Sequence, residues 1–161
     1  MHEVYVILGS NLGDSSHVLG NALHFLTERV GTVVAKSPIY QTAPWGVANQ
    51  PDYLNQVIRL KTSLKPEEVL EEVLNIEKDL GRTRLKKWEA RIIDIDILFY
   101  DHAVIQRENL VIPHPLLHLR KFVLEPLAAI APDFIHPVLQ QTVGELLAHV
   151  GDEHAVRRAS L

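Results

Sequence analysis

The spacing of apolar positions changes period repeatedly along this chain, and each change marks an element. Residues 4–8 form a short apolar run that ends at Gly9-Ser10-Asn11-Leu12-Gly13, as a strand entering a turn does. Asp14 and the two serines after it supply a helix cap. Val18, Leu19, Ala22, Leu23, Phe25, Leu26 and Val30 then recur at helical spacing until Gly31. A second strand is predicted over about 32–42 and is interrupted by Pro38, which suggests an edge position or a bulge. The Pro, Gly and Asn content of 43–52 marks a loop, and 53–62 alternates roughly as a third strand. Ser63 and Pro66 open a helix that Gly81 closes. After a basic loop, 91–100 is strand-like. The remainder reads as helix and loop, and Thr142-Val143-Gly144-Glu145 announces its last helix as a capping box.

The predicted order is β-α-β-β-α-β followed by a helical C-terminal extension. It implies an α+β fold with a ferredoxin-like core, an antiparallel sheet with helices packed on one face. At 161 residues, one domain over 1–161 is expected, with a core that needs no staples.

Two elements carry polar residues where the pattern wants apolar ones. On the second helix, Val69, Leu70, Val73, Leu74, Ile76 and Leu80 fill one arc, and Glu77 falls inside it. A carboxylate on a buried stripe needs a partner, either an ion pair with a loop arginine such as Arg82 or Arg84, or a ligand. On the strand Ile93-Asp94-Ile95-Asp96-Ile97-Leu98-Phe99-Tyr100, Asp94 and Asp96 share one face. Alternation puts Leu98 and Tyr100 on that face and Ile93, Ile95, Ile97 and Phe99 on the other. Adjacent carboxylates repel, so they are either solvated at a strand end or bridged by a hard divalent cation.

Charge sharpens the choice. The net charge is -4, yet residues 82–91 hold five cationic side chains against one Glu. Cations beside a carboxylate pair suit a polyanion and its metal, with a nucleotide triphosphate the natural candidate, although a solvated basic loop has the same composition. Trp88 in that loop has no core to fill unless the loop closes on something. Pro113-His114-Pro115 holds a pre-organised histidine, with Arg120 and Phe122 close behind. Tyr53 and Asn55 share a strand face, an aromatic surface beside an amide that suits a flat heterocycle.

Composition excludes several classes. There are no cysteines, so thiolate chemistry and disulfides are absent. No secretory leader or membrane-length apolar run is seen, and the acidic balance argues against general nucleic-acid binding. A cytoplasmic monomer without nucleic-acid or membrane partners is expected. The P-loop pattern is missing. A polymerase-β-type nucleotidyltransferase would place its Gly-Ser shortly before the acidic pair, whereas Ser10 and Asp94 lie far apart. A ferredoxin-like RNA-binding module would share the topology without needing Asp94 and Asp96 together.

In their joint order the segments resemble the bacterial 6-hydroxymethyl-7,8-dihydropterin pyrophosphokinase family of folate biosynthesis. They are Gly9 to Gly13, Tyr40-Gln41-Thr42-Ala43-Pro44 and Gln50-Pro51-Asp52-Tyr53-Leu54-Asn55. The likeness continues through Ile76-Glu77, Gly81-Arg82-Thr83-Arg84, Trp88, Arg91 to Ile97, and Ile112-Pro113-His114-Pro115 with Arg120 and Phe122. The resemblance implies transfer of the β,γ-diphosphate of ATP to the pterin hydroxyl, with AMP leaving. It implies that Asp94 and Asp96 hold two magnesium ions, and that Arg82, Arg84, Trp88 and Arg91 ride on a catalytic lid. His114 and Arg120 would contact ATP phosphates and Glu77 would belong to the ATP site. Thr42, Pro44 and Trp45, Tyr53, Asn55 and Phe122 would make the pterin pocket, the ring lying between Tyr53 and Phe122. Three departures stand out. Glu89-Ala90 occupies a frequent Gly-Pro position, and Trp45 replaces a smaller aliphatic. Leu74, Asn109 and Val111 stand where some members are polar or basic, which shifts expected adenine recognition to the backbone around Ile97.

Overall fold

The computed structural model describes residues 1–11, 14–43, 52–81 and 92–159. Strand β1 (His2–Ser10) runs through the centre of an antiparallel sheet. It pairs on one side with β4 (Tyr53–Thr62) and on the other with β5 (Asp94–Tyr100). Along the outer edge of β4 lie β2 (Thr32–Lys36) and then β3 (Tyr40–Thr42), and β8 (Val156–Arg158) pairs with β3. The stretch expected as one strand over 32–42 is therefore two. Pro38 cannot donate to the ladder, so the chain leaves it there. Ser37 closes the gap: its hydroxyl accepts the Val57 N–H at 3.0 Å and its carbonyl accepts Gln56 Nε2 at 2.8 Å.

Helices α1 (Ser15–Arg29) and α2 (Pro66–Asp79) cover one face of the sheet over Val4, Val6, Leu8, Ile58 and Leu60. Asp14 caps α1 by accepting the His17 N–H, and Pro66 starts α2 where a missing N–H costs nothing. Gly31 joins α1 to β2 because the chains touch there; a Cβ would lie 2.0 Å from the Lys61 carbonyl oxygen.

The opposite face is covered too, by α3 (Lys121–Ile130) and α4 (Val143–Ala148) over Tyr5, Ile7, Val57 and Leu98. Helices thus pack on both faces, where the sequence suggested one. The cause is β1, whose residues from Val4 to Ser10 are all buried; a strand apolar on both sides cannot leave either side in water. Thr142 and Glu145 cap α4 reciprocally, as expected. The C-terminal part is only partly helical. It also contains a hairpin, β6 (Ile105–Arg107) with β7 (Leu110–Ile112), a tight turn over Leu117–Leu119, and β8.

A bulge corrects the face assignment in β5. Val6 pairs with Ile97 while Tyr5 pairs with Phe99, so Leu98 is an extra residue. Leu98 and Phe99 therefore both face α3 and α4, and Tyr100 joins Ile93, Ile95 and Ile97 under α2. Its hydroxyl donates to the Leu64 carbonyl at 2.6 Å. Alternation holds from Ile93 to Leu98, the part that carries the carboxylates, and breaks at Phe99.

Candidate active site

Register assembles the site. Residues directly opposite each other in an antiparallel pair share a face. Gly9 lies opposite both Asn55 and Asp94, Ile7 opposite Val57 and Asp96, and Thr42 opposite Tyr53. Thr42, Tyr53, Asn55, Asp94 and Asp96 accordingly stand on one sheet face, the face from which α3 rises with Phe122. All of them line a cavity of about 1080 Å³, together with Glu77, Ile97, His114, Arg120 and Phe122. That is room for two small ligands. Asp94 is half-buried and Asp96 exposed.

The cavity bends round the outer edge of β5, which among the described residues has no strand beyond it. On the α2 side it is walled by Leu70, Val73 and Leu74, and on the hairpin side by Asn109 and Val111. Arg107 pairs with Glu67, which ties the hairpin to α2. Glu77 sits between the two regions and is 5% exposed. Its carboxylate accepts the Ile95 N–H at 2.8 Å, a backbone partner that sequence reasoning did not name. The N–H that would otherwise be orphaned at a sheet edge is thereby satisfied within the stretch linking Asp94 to Asp96.

Electrostatics tie the two sides of the cleft. Burial pushes the His114 imidazole below its usual titration range, Asp96 pulls it back up, and Arg120 pushes it down again. The His114 imidazole therefore lies within the fields of both the Asp96 carboxylate and the Arg120 guanidinium. The Nδ1 atom of His114 accepts the Leu116 N–H at 3.2 Å, and the His114 N–H donates to the Leu98 carbonyl at 3.0 Å, docking this turn on the bulge. The Arg120 guanidinium lies 5.7 Å from the centre of the Phe122 ring.

Thr42 Oγ1 is buried with no hydrogen-bond partner among the described residues. Such an orphan costs about 1–3 kcal/mol, which a hydrogen-bonding ligand recovers. Gly9 was visible in its motif, but its contribution was not. A Cβ there would sit 2.8 Å from Asn55 Oδ1, so glycine leaves the space in which the amide lies. Of the residues named from sequence, Pro44, Trp45, Arg82, Arg84, Trp88 and Arg91 lie outside the described residues.

Two carboxylates suit magnesium, which takes one or two protein carboxylates and fills its shell from water and substrate phosphates. Among the described residues there is no cluster of three or more metal-binding side chains, so an all-protein cage is not what these residues form. No helix among them is long and apolar enough to cross a membrane.

Comparison with known proteins places the chain in an enzyme class, the pyrophosphokinases. The profile of the family described as 7,8-dihydro-6-hydroxymethylpterin-pyrophosphokinase (HPPK) matches residues 5–132. The chain belongs to that family. It is 44% identical over 149 residues to a 2-amino-4-hydroxy-6-hydroxymethyldihydropteridine pyrophosphokinase of Methylorubrum extorquens, covering 92% of this chain and 93% of the relative. It is 39% identical over 158 residues to the Haemophilus influenzae protein of the same name, covering 98% of each. Among solved structures it resembles wild-type Plasmodium falciparum HPPK-DHPS, with a TM-score of 0.75 and 18% identity. That match covers 91% of this chain but only 44% of the solved one, and it bears on the fold alone.

Proposed function

We propose that this protein transfers the β,γ-diphosphate of ATP to the hydroxyl of 6-hydroxymethyl-7,8-dihydropterin, a step of folate biosynthesis. The observation that carries the reading is the shared sheet face. A carboxylate pair beside His114 and Arg120 adjoins an aromatic and amide pocket, so a triphosphate and a flat heterocycle would meet at Asp94 and Asp96. Family membership and the chain-length match to named pyrophosphokinases support the same assignment.

In this reaction the pterin hydroxyl oxygen bonds to the β-phosphorus. The bond from that phosphorus to the oxygen bridging it to the α-phosphate breaks, and AMP leaves with the oxygen. The hydroxyl proton is released to water. Asp94 and Asp96 would hold magnesium, which when bound would supply neutralisation of phosphate charge and acidify the hydroxyl. We take two ions as the number. His114 and Arg120 bind phosphate oxygens, as do Arg82, Arg84 and Arg91, with Trp88 packing beside the nucleotide. Glu77 belongs to the nucleotide side, and the Ile97 backbone reads adenine in a slot where Leu74 and Val111 offer no charge. Thr42, Asn55 and the Pro44-Trp45 stretch orient the pterin between Tyr53 and Phe122.

The order β1-α1-β2/β3-β4-α2-β5, with β2 and β3 counted as one interrupted strand and β1 and β4 central, supports a ferredoxin-like core. We further propose that the protein works as a cytoplasmic monomer. Incubation with ATP, magnesium and the hydroxymethyl-dihydropterin, followed by nucleotide separation, tests the reaction. AMP is expected in step with pterin diphosphate. Stoichiometric ADP with a pterin monophosphate overturns it.

A further inference from the structure

The two aromatic walls of the pterin pocket rise from different elements. Tyr53 begins β4 in the sheet, and Phe122 lies in the first turn of α3. A sandwich works only if its faces are held at the thickness of the ring, and small misplacements at such sites are expensive. One segment, beyond residue 132 where the family match ends, touches the base of both walls.

On the α3 side the contact is Asp152. Its side chain is only 4% exposed, and its Oδ2 accepts the N–H of Lys121, the first residue of α3, at 3.1 Å. Arg120, at the cap position, offers no side-chain cap of its own, so the acceptor comes from Asp152. The capped N–H lies between Arg120 and Phe122. Asp152 is itself held: its Oδ1 accepts the His154 N–H at 3.0 Å and meets the His154 ring at 2.7 Å. Burial raises its carboxyl pKa, but these hydrogen bonds outweigh it, so the group titrates below the usual range and stays anionic at neutral pH.

On the sheet side the contact is β8. It pairs Val156 with Thr42 and Arg157 with Gln41, and the Ala159 N–H donates to the Ile39 carbonyl at 2.9 Å. Without it, β3 would be a three-residue edge strand bearing Thr42. Gln41 Nε2 donates to Asp52 Oδ2 at 2.9 Å, and Arg157 approaches the same oxygen at 3.8 Å. The arginine is 72% exposed, so its ion pair adds little beside the strand pairing and the amide bond. Asp52 directly precedes Tyr53.

We propose that the segment from Asp152 to Arg158 is a positioning element for the pterin, fixing the Phe122 wall through Asp152 and the Thr42–Tyr53 wall through β8 and Asp52. It rests on the assignment of Tyr53 and Phe122 to the pterin pocket. Asp152, Gln41 and Asp52 act through other residues and touch no substrate.

Calorimetry with the pterin and a non-hydrolysable ATP analogue, run well below each variant's unfolding temperature, tests this. Asp152→Ala should weaken pterin binding roughly fivefold, the equivalent of a lost cap, and shift the nucleotide affinity much less. Asp152→Ser, which can still cap, should restore most of it. Asp52→Ala should weaken pterin selectively as well. With Phe122→Ala as the control, loss of pterin affinity there but not in Asp152→Ala or Asp52→Ala overturns the proposal. Equal loss of pterin and nucleotide affinity in Asp152→Ala also overturns it, since that marks general destabilisation. If Phe122→Ala binds pterin normally, the pocket assignment fails and the proposal falls with it.

Discussion

Glu77 accepts the backbone N–H of Ile95 at 2.8 Å, so a buried side chain of α2 grips the residue that separates Asp94 from Asp96. That bond joins α2 to the carboxylate pair through one peptide unit. Glu77→Ala should leave a buried N–H without its acceptor and cost about 1–3 kcal/mol of stability. Turnover should fall as well, because the peptide unit linking the carboxylates is freed. Glu77→Gln keeps an acceptor oxygen and should retain most of both. Thermal unfolding and steady-state rates check this; an alanine variant as stable and active as wild type would refute the tethering role.

Asp94→Ala or Asp96→Ala should nearly abolish turnover with the fold intact. Losing a metal ligand misplaces charge at the reacting phosphorus, a loss of about a thousandfold or more. Circular dichroism should be unchanged, and thermal stability should shift little. Activity within about tenfold of wild type in both variants contradicts the metal assignment.

Gly9 and Asn55 stand opposite each other in the sheet, and the absent Cβ of one makes room for the amide of the other. Asn55→Ala should weaken pterin binding by about 1–3 kcal/mol and ATP binding less, because the heterocycle edge loses its partner. Gly9→Ala should imitate it with Asn55 itself unchanged, because the added Cβ would push the amide aside. Titration of pterin into both variants decides; unchanged affinity in both moves the pocket elsewhere.

Arg82→Ala and Arg91→Ala are expected to lower kcat more than ATP affinity. Contacts made chiefly to charge developing in the reacting state act on rate and leave ground-state binding nearly untouched. Arg91, three residues from Asp94 in sequence, should be the costlier loss. Single-turnover rates alongside nucleotide titrations separate the two effects, and equal losses in rate and affinity would make both arginines simple binding residues.

His136 provides a test of acid sensitivity at a residue that does not line the cleft. It is buried, and its Nδ1 accepts the N–H groups of Val138 and Leu139 at 3.1 and 3.0 Å, which requires the neutral ring. Burial lowers its pKa, and His118 lowers it further. The unfolded chain then binds the proton more readily. Its contribution is present above the ordinary histidine value of about 6.5 and is lost as pH falls from there through the folded value. His136→Asn keeps an acceptor oxygen without the titration, so its Tm should decline less than that of wild type between pH 7 and pH 5. Parallel curves would show that His136 is uncoupled from folding.

Much of this molecule is set by local patterning. The α1 and α2 stripes, the capping of α1 and α4, the strand after the basic segment and the pairing of Asp94 with Asp96 depend on side chains a few residues apart, so period and cap chemistry suffice to find them. Joint motif order was enough for the family, because several short segments in one fixed order over most of a chain are far more specific than any one of them. Tertiary structure alone decided what depends on register and on distant partners. Leu98 becomes a bulge only against Tyr5 and Val6, and this turns Phe99 and Tyr100 to faces that alternation assigned the other way. Glu77 was detectable as misplaced, yet its partner, the Ile95 N–H, is backbone, and backbone groups are the same in every sequence. The need for glycine at position 9 exists only because β1 and β4 bring Asn55 opposite it, and the capping of α3 by Asp152 spans 31 residues. Such contacts follow from how whole elements stack, which is a property of the assembled core and of no single stretch of chain.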